Sequence, residues 1–175
     1  TPGQILLRPH QVERIVSFLH PEDYADSTAL QTSNSVMAIG SGGLFGKGFG
    51  SSTISNVSAS DVNLVSEQQT DFIFSAVGEE FGFVGCIVVM AVLFILVLQC
   101  IGIARKADNL IGMYVATGVA SYMGFQSFIN IGVATGTLPN TGLPLPFISY
   151  GLSSILSASI GIGLLLNIHL QGKRY

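Results

Sequence analysis

Three apolar runs of membrane length dominate the second half of this chain. They extend from about Phe83 to Ala104, Leu110 to Val133 and Phe147 to Leu170. Each is close to the roughly 20 residues that a helix needs to cross about 30 Å of hydrocarbon. Val84–Leu98 carries no polar side chain. The second and third runs hold more Gly, Ser and Thr, and the second contains Gln126 and Asn130, residue types favoured where helices pack or line a cavity.

The pattern before Phe83 differs. Ile5, Leu6, Val12, Ile15, Val16 and Leu19 recur at helical spacing within Gln4–Leu19, which suits a helix lying in a membrane interface. His20-Pro21-Glu22-Asp23 reads as a turn, Gln31–Ile39 as a short helix, and 40–50 as a glycine cluster. The serine-rich stretch Ser51–Ser66 reads as a mobile loop. Thr70 then reads as the N-cap of a helix beginning near Asp71, where an acid suits the helix dipole.

Charge gives the pattern a direction. Residues 1–80 hold nine of the ten acids and three of the seven bases, whereas 81–175 hold one acid and four bases. Arg105-Lys106 joins the first two runs, Lys173-Arg174 follows the third, and Ala134–Pro146 is uncharged. The positive-inside rule puts both basic pairs in the cytoplasm and residues 1–80 outside. Expected from this is an all-α integral membrane protein. Residues 1–82 form a long extracytoplasmic loop with short helices, and 83–175 form three transmembrane helices with a cytoplasmic C-terminus. Only 10% of residues are charged, against about 25% in soluble domains. Cys86 and Cys100, about 21 Å apart along one helix, are beyond disulfide reach and read as packing residues. Thr1-Pro2-Gly3 offers neither a basic n-region nor an initiating methionine, so the chain reads as a portion of a longer protein.

Candidate chemistry gathers at the outer edge of the first run. Asp71 precedes Phe72-Ile73-Phe74. On spacing alone it is an N-terminal helix acid, but a carboxylate at the rim of the hydrophobic layer is also suited to general-base work through partial desolvation. Glu79 lies eight residues on, near the same helix face, with Glu80 turned about 100° away. One of the two reads as solvated, and the other could hold a cation, a metal or a backbone amide. Gly40-Ser41-Gly42-Gly43-Leu44-Phe45-Gly46-Lys47-Gly48 fails as a phosphate-binding Walker loop, since Ser41 and Gly48 stand where that motif needs Gly and Ser or Thr. It remains a glycine-rich turn with exposed amides and one cation. Lys47 and Arg14 are the natural contacts for a pyrophosphate approaching from outside. Three prolines, Pro139, Pro144 and Pro146, stiffen the loop before the third run, with Ser149 and Tyr150 candidates to line a cavity. The histidines are too scattered for a metal site, and the outer bases too few for nucleic acid.

Three motifs, in order, carry a family resemblance: Ala38–Gly48, then Thr70-Asp71-Phe72-Ile73-Phe74 with Gly78-Glu79-Glu80-Phe81-Gly82, then Pro144-Leu145-Pro146-Phe147-Ile148-Ser149-Tyr150-Gly151. Together they resemble the SEDS family, which includes RodA, FtsW and SpoVE. The resemblance implies the C-terminal portion of a bundle of about ten helices in the bacterial cytoplasmic membrane. It implies a peptidoglycan glycosyltransferase that polymerises lipid II, carried on undecaprenyl pyrophosphate, with a class B penicillin-binding protein as partner in elongation, division or sporulation. The family's essential aspartate falls on Asp71, which would be the base or would hold a divalent cation, Mg or Mn. Lys47, Arg14, Glu79, Glu80 and Ser149 are the expected substrate contacts. A lipid-linked precursor transporter, with Gln126 and Asn130 in its cavity, and a non-catalytic scaffold for a penicillin-binding protein are the competing readings. The sequence departs from the family at Val65-Ser66-Glu67-Gln68-Gln69, where Leu-Pro-Glu-x-His is usual. It departs again at Leu152, where a glycine is usual and a leucine could crowd a helix contact. Both departures mark a divergent member.

Overall fold

The structure is a computed structural model that describes residues 12, 14, 16–18, 28–49 and 71–171. Four helices organise these residues: α1 (Thr28–Ser41), α2 (Ile73–Arg105), α3 (Leu110–Ala134) and α4 (Leu152–Gln171). Residues 12, 14 and 16–18 are also helical. The predicted turn at 20–23, the serine-rich stretch 51–66 and the Thr70 cap lie outside the described residues.

The long helix α2 is not one rod. Gly82 sits inside it at φ 68°, ψ −163°, a conformation that L side chains essentially do not adopt. Below the break, Phe83–Arg105 rises about 34 Å, the depth of a bilayer core. Above it, residues 73–81 form a short separate helix. Phe72 is the N-cap and makes no side-chain capping bond, so the helix starts at Ile73 and Asp71 precedes its first turn. The expectation that Asp71 stands in the first turn of this helix is corrected accordingly.

A tight link joins α2 to α3. The Asn109 side chain accepts from the Ile111 N–H at 3.2 Å, an Asx cap that explains why α3 begins at Leu110 as the sequence predicts. The two helices are then antiparallel neighbours, and α4 packs against both. Their shared core is built from small residues, Cys100, Ala104, Ala116, Ala120 and Ala158, with Met123 and Leu165 filling between them. Small side chains let helix axes approach closely where hydrophobicity alone cannot drive association, as in lipid. A second core of Phe74, Cys86, Leu93, Ala134 and Leu145 seats the upper half of α2 against the end of α3. Both cysteines are free and buried.

Among the described residues α2 and α4 are long and apolar enough to cross a membrane, and α3 has 25 residues. Helix α4 starts at Leu152, not at Phe147 as the hydropathy suggested. The Ser149 hydroxyl accepts the Leu145 N–H at 2.7 Å, and the Ser149 N–H donates to the Leu145 carbonyl at 3.0 Å. Phe147 is thereby held at φ 62°, so Phe147-Ile148 belong to a proline-bounded turn. Leu152 is 86% exposed, so it crowds no contact among the described residues.

Candidate functional site

The glycine-rich loop is the splint of the broken helix. In an unbroken helix the N–H groups of Phe83 and Val84 would donate to the carbonyls of Glu79 and Glu80. Instead they donate to the carbonyls of Gly43 (2.9 Å) and Leu44 (3.2 Å), while Glu79 and Glu80 accept from Lys47 N–H (3.0 Å) and Gly48 N–H (3.1 Å). Four bonds to a distant loop replace two local ones. The approach is so close that a Cβ on Gly46 would collide with the Glu80 carbonyl, and one on Gly82 with the Gly46 nitrogen. The amides of Lys47 and Gly48 are therefore committed to α2.

The ion pair at this junction follows the same geometry. Lys47 Nζ lies 2.9 Å from Glu79 Oε1, with Glu79 only 1% exposed and Lys47 40% exposed. Glu79 is thus the carboxylate that holds a cation, and that cation is Lys47. The structure engages Lys47 inside the protein and brings Arg14, not Lys47, to the neighbourhood of Asp71. Glu80 is half-buried beside the same splint.

Asp71 is held through its main chain. Asn130 Nδ2, on α3, donates to the Asp71 backbone carbonyl at 2.9 Å and to the Leu143 carbonyl at 2.6 Å. Gly142 lies under the carboxylate: Asp71 Oδ2 and Arg14 Nη1 are each 3.5 Å from where a Cβ on Gly142 would stand. Arg14 Nη1 also donates to the Asn140 carbonyl at 3.4 Å. The Asn140 side chain accepts from Gly142 N–H at 3.1 Å, forming an Asx turn that holds Gly142 at φ 69°. A half-buried carboxylate and a guanidinium therefore share one small-residue floor, where a Cβ on Gly142 would be in ordinary contact with both and the φ of 69° is what favours glycine.

The proline loop is fastened by the same helix. Gln126 Nε2 donates to the Pro144 carbonyl at 2.8 Å. Gln126 and Asn130 sit one turn apart on α3 and are both buried, and both clamp the loop. Ser149 is likewise buried, and Tyr150 is 90% exposed, so the expected cavity-lining pair does not form among the described residues. A groove of about 720 Å³ between α2 and α3 is lined by Val97, Ile101, Met113, Phe125 and Phe128, among others, beside Arg105. It lies at the opposite end from Asp71 and includes neither Gln126 nor Asn130. Among the described residues no three of His, Cys, Asp and Glu gather.

The sequence puts Asn130 in a transporter's cavity and not beside Asp71, and it does not mark the Asn140–Gly142 turn as part of the site. The Pro139-Asn140-Thr141-Gly142 stretch does carry a turn signal, whereas nothing local ties Asn130 to a residue 59 positions earlier.

A small-residue helix bundle with a carboxylate pinned at its rim belongs to a known class of membrane proteins. The sequence profile described as Cell cycle protein, for FtsW, RodA and SpoVE, matches residues 3–174, and the chain belongs to that family. It is 40% identical over 166 residues to Stage V sporulation protein E of Bacillus subtilis, covering 95% of this chain and 44% of that protein. It is also 40% identical over 166 residues to the probable peptidoglycan glycosyltransferase FtsW of Coxiella burnetii, covering 93% and 43%. The chain thus spans less than half the length of these relatives. Among solved structures it resembles a chain described under structural coordination of polymerization and crosslinking by a peptidoglycan synthase complex (TM-score 0.74, 31% identity, 97% of this chain and 44% of that one). It also resembles the rod shape determining protein RodA of Thermus thermophilus in an aspartate-to-alanine mutant (TM-score 0.59, 32% identity, 82% and 41%).

Proposed function

We propose that the whole protein is a peptidoglycan glycosyltransferase that polymerises lipid II at the outer face of the cytoplasmic membrane. The observation that carries this is Asp71, pinned by Asn130 at the head of α2 with Arg14 over the same glycine. Arg105 and Lys106 mark the far end of α2 as cytoplasmic, which puts Asp71, Arg14 and the proline loop outside.

In the reaction, the acceptor sugar hydroxyl attacks the anomeric carbon of the donor. Its proton passes to the Asp71 carboxylate, an O–C bond forms, and the C–O bond to the lipid pyrophosphate breaks with its electron pair going to the leaving group. Arg14 is the cation placed to offset the charge that develops on that pyrophosphate.

The likeness to a peptidoglycan synthase complex supports a class B penicillin-binding protein as partner. The transporter reading loses its main support, since Gln126 and Asn130 are engaged in holding the loop.

The test is lipid II polymerisation by the full-length protein with its penicillin-binding partner. Asp71→Asn should lower the rate by at least about 10²-fold with unchanged thermal stability and complex formation. Equal glycan strands from mutant and wild type would move catalysis away from Asp71. Strands from neither would favour a transporter or a scaffold.

A further inference from the structure

We propose that Asn130 is a positioning residue for Asp71: its amide fixes where the carboxylate stands relative to the proline loop. This deepens the glycosyltransferase reading and rests on it. Asn130 has two N–H hydrogens on Nδ2, and both are used, one on the Asp71 carbonyl at 2.9 Å and one on the Leu143 carbonyl at 2.6 Å. One side chain thereby joins three segments: α3, the residue that opens α2, and the loop whose Gly142 forms the floor under the carboxylate.

The arrangement is unlike a packing residue in one respect. Asn130 is 1% exposed, yet among the described residues its Oδ1 has no hydrogen-bond partner. A buried orphan acceptor is unfavourable, and an apolar side chain of similar volume would avoid it. What the apolar replacement could not supply is the pair of donors. The site therefore tolerates a bad acceptor to keep two good donors, and both of those act on main chain beside the proposed catalytic group. Gln126, one turn earlier, holds the same loop at Pro144 but does not reach Asp71. Its loss should loosen the loop without the same effect on the aspartate.

The experiment uses the full-length protein in complex with its penicillin-binding partner, with lipid II as substrate. Wild type, Asp71→Asn, Asn130→Leu and Asn130→Ser are compared by kcat, KM, the pH dependence of kcat and thermal stability. Expected for Asn130→Leu is a kcat about tenfold lower or more, a KM within about twofold, and an acid limb displaced by about half a pH unit, because a moved carboxylate meets a different environment. If Asn130→Leu does not fold, Asn130→Ser, which keeps one donor, carries the same readouts, with a smaller fall in kcat and the limb still displaced. A loss that tracks the folded fraction while the acid limb stays in place would overturn the positioning role, as would wild-type kcat in a folded Asn130→Leu. If Asp71→Asn is inactive while Asn130→Leu is normal, only the positioning role fails. If Asp71→Asn is fully active, the reading beneath it fails and takes the positioning role with it.

Discussion

At the scale of single residues, two carboxylates eight positions apart serve opposite ends. Asp71 is half-buried and faces Arg14 across a glycine, an exposure that leaves room for a substrate hydroxyl. Glu79 is closed off and paired to Lys47, a structural charge. Breaking a buried pair from one side strands the other charge, at about 3–5 kcal/mol when both partners are buried. Because Lys47 is partly exposed, Lys47→Met should destabilise the full-length protein by about 2 kcal/mol. Adding Glu79→Gln should recover most of that loss, since a neutral amide is far less costly to bury. Thermal unfolding of the two variants checks this, and a double variant no more stable than Lys47→Met would show that the pair is not the source. Spacing put both acids near one helix face, but it could not tell them apart: what separates them is Lys47, 32 residues away in sequence.

At the scale of elements, the broken helix is the feature with most depending on it. Gly82→Ala forces a Cβ into the Gly46 backbone at a φ/ψ that alanine avoids, and should cost about 3 kcal/mol or more. Gly102→Ala, in the same helix with nothing within 4 Å among the described residues, should be neutral or stabilise by up to about 1 kcal/mol. Equal effects at the two positions, measured by thermal unfolding, would refute the splint. The lower part of α2 and nearly all of α3 were legible from hydropathy, because apolar length and the Asn109 cap are local signals. The start of α4 was not, because Phe147-Ile148 are apolar enough to pass for a span and only the Ser149–Leu145 bonds reveal the turn. The glycine loop was legible as a tight turn but not as a splint, because the Glu79 and Glu80 carbonyls that its Lys47 and Gly48 amides meet are exposed only by a break that hydropathy does not register. Asp71 and Arg14 were both visible as candidates; the floor that brings them together, Asn140–Gly142, was visible only as a turn.

At the scale of the whole molecule, most of the α2 and α4 spans is left uncovered among the described residues. Three long helices cannot enclose a lipid-linked disaccharide, so the 175-residue chain alone should form no glycan from lipid II under conditions where the full-length protein with its partner does. Strand synthesis by the isolated chain would contradict this. The splint also bears on how the molecule comes together. Residues 43–48 are made well before the helix they complete, and neither side can satisfy its backbone until the other arrives. A buried peptide group left unsatisfied costs about 1–3 kcal/mol, so the junction closes as a unit: the loop seats and the upper helix is set in one event. In hydrogen exchange on the full-length protein, the amides of Lys47, Gly48, Phe83 and Val84 should then open together, with one common free energy. Two residues from a loop and two from a membrane span would behave as a single cooperative unit, and the aspartate at the head of α2 would be in place only while that unit stays closed.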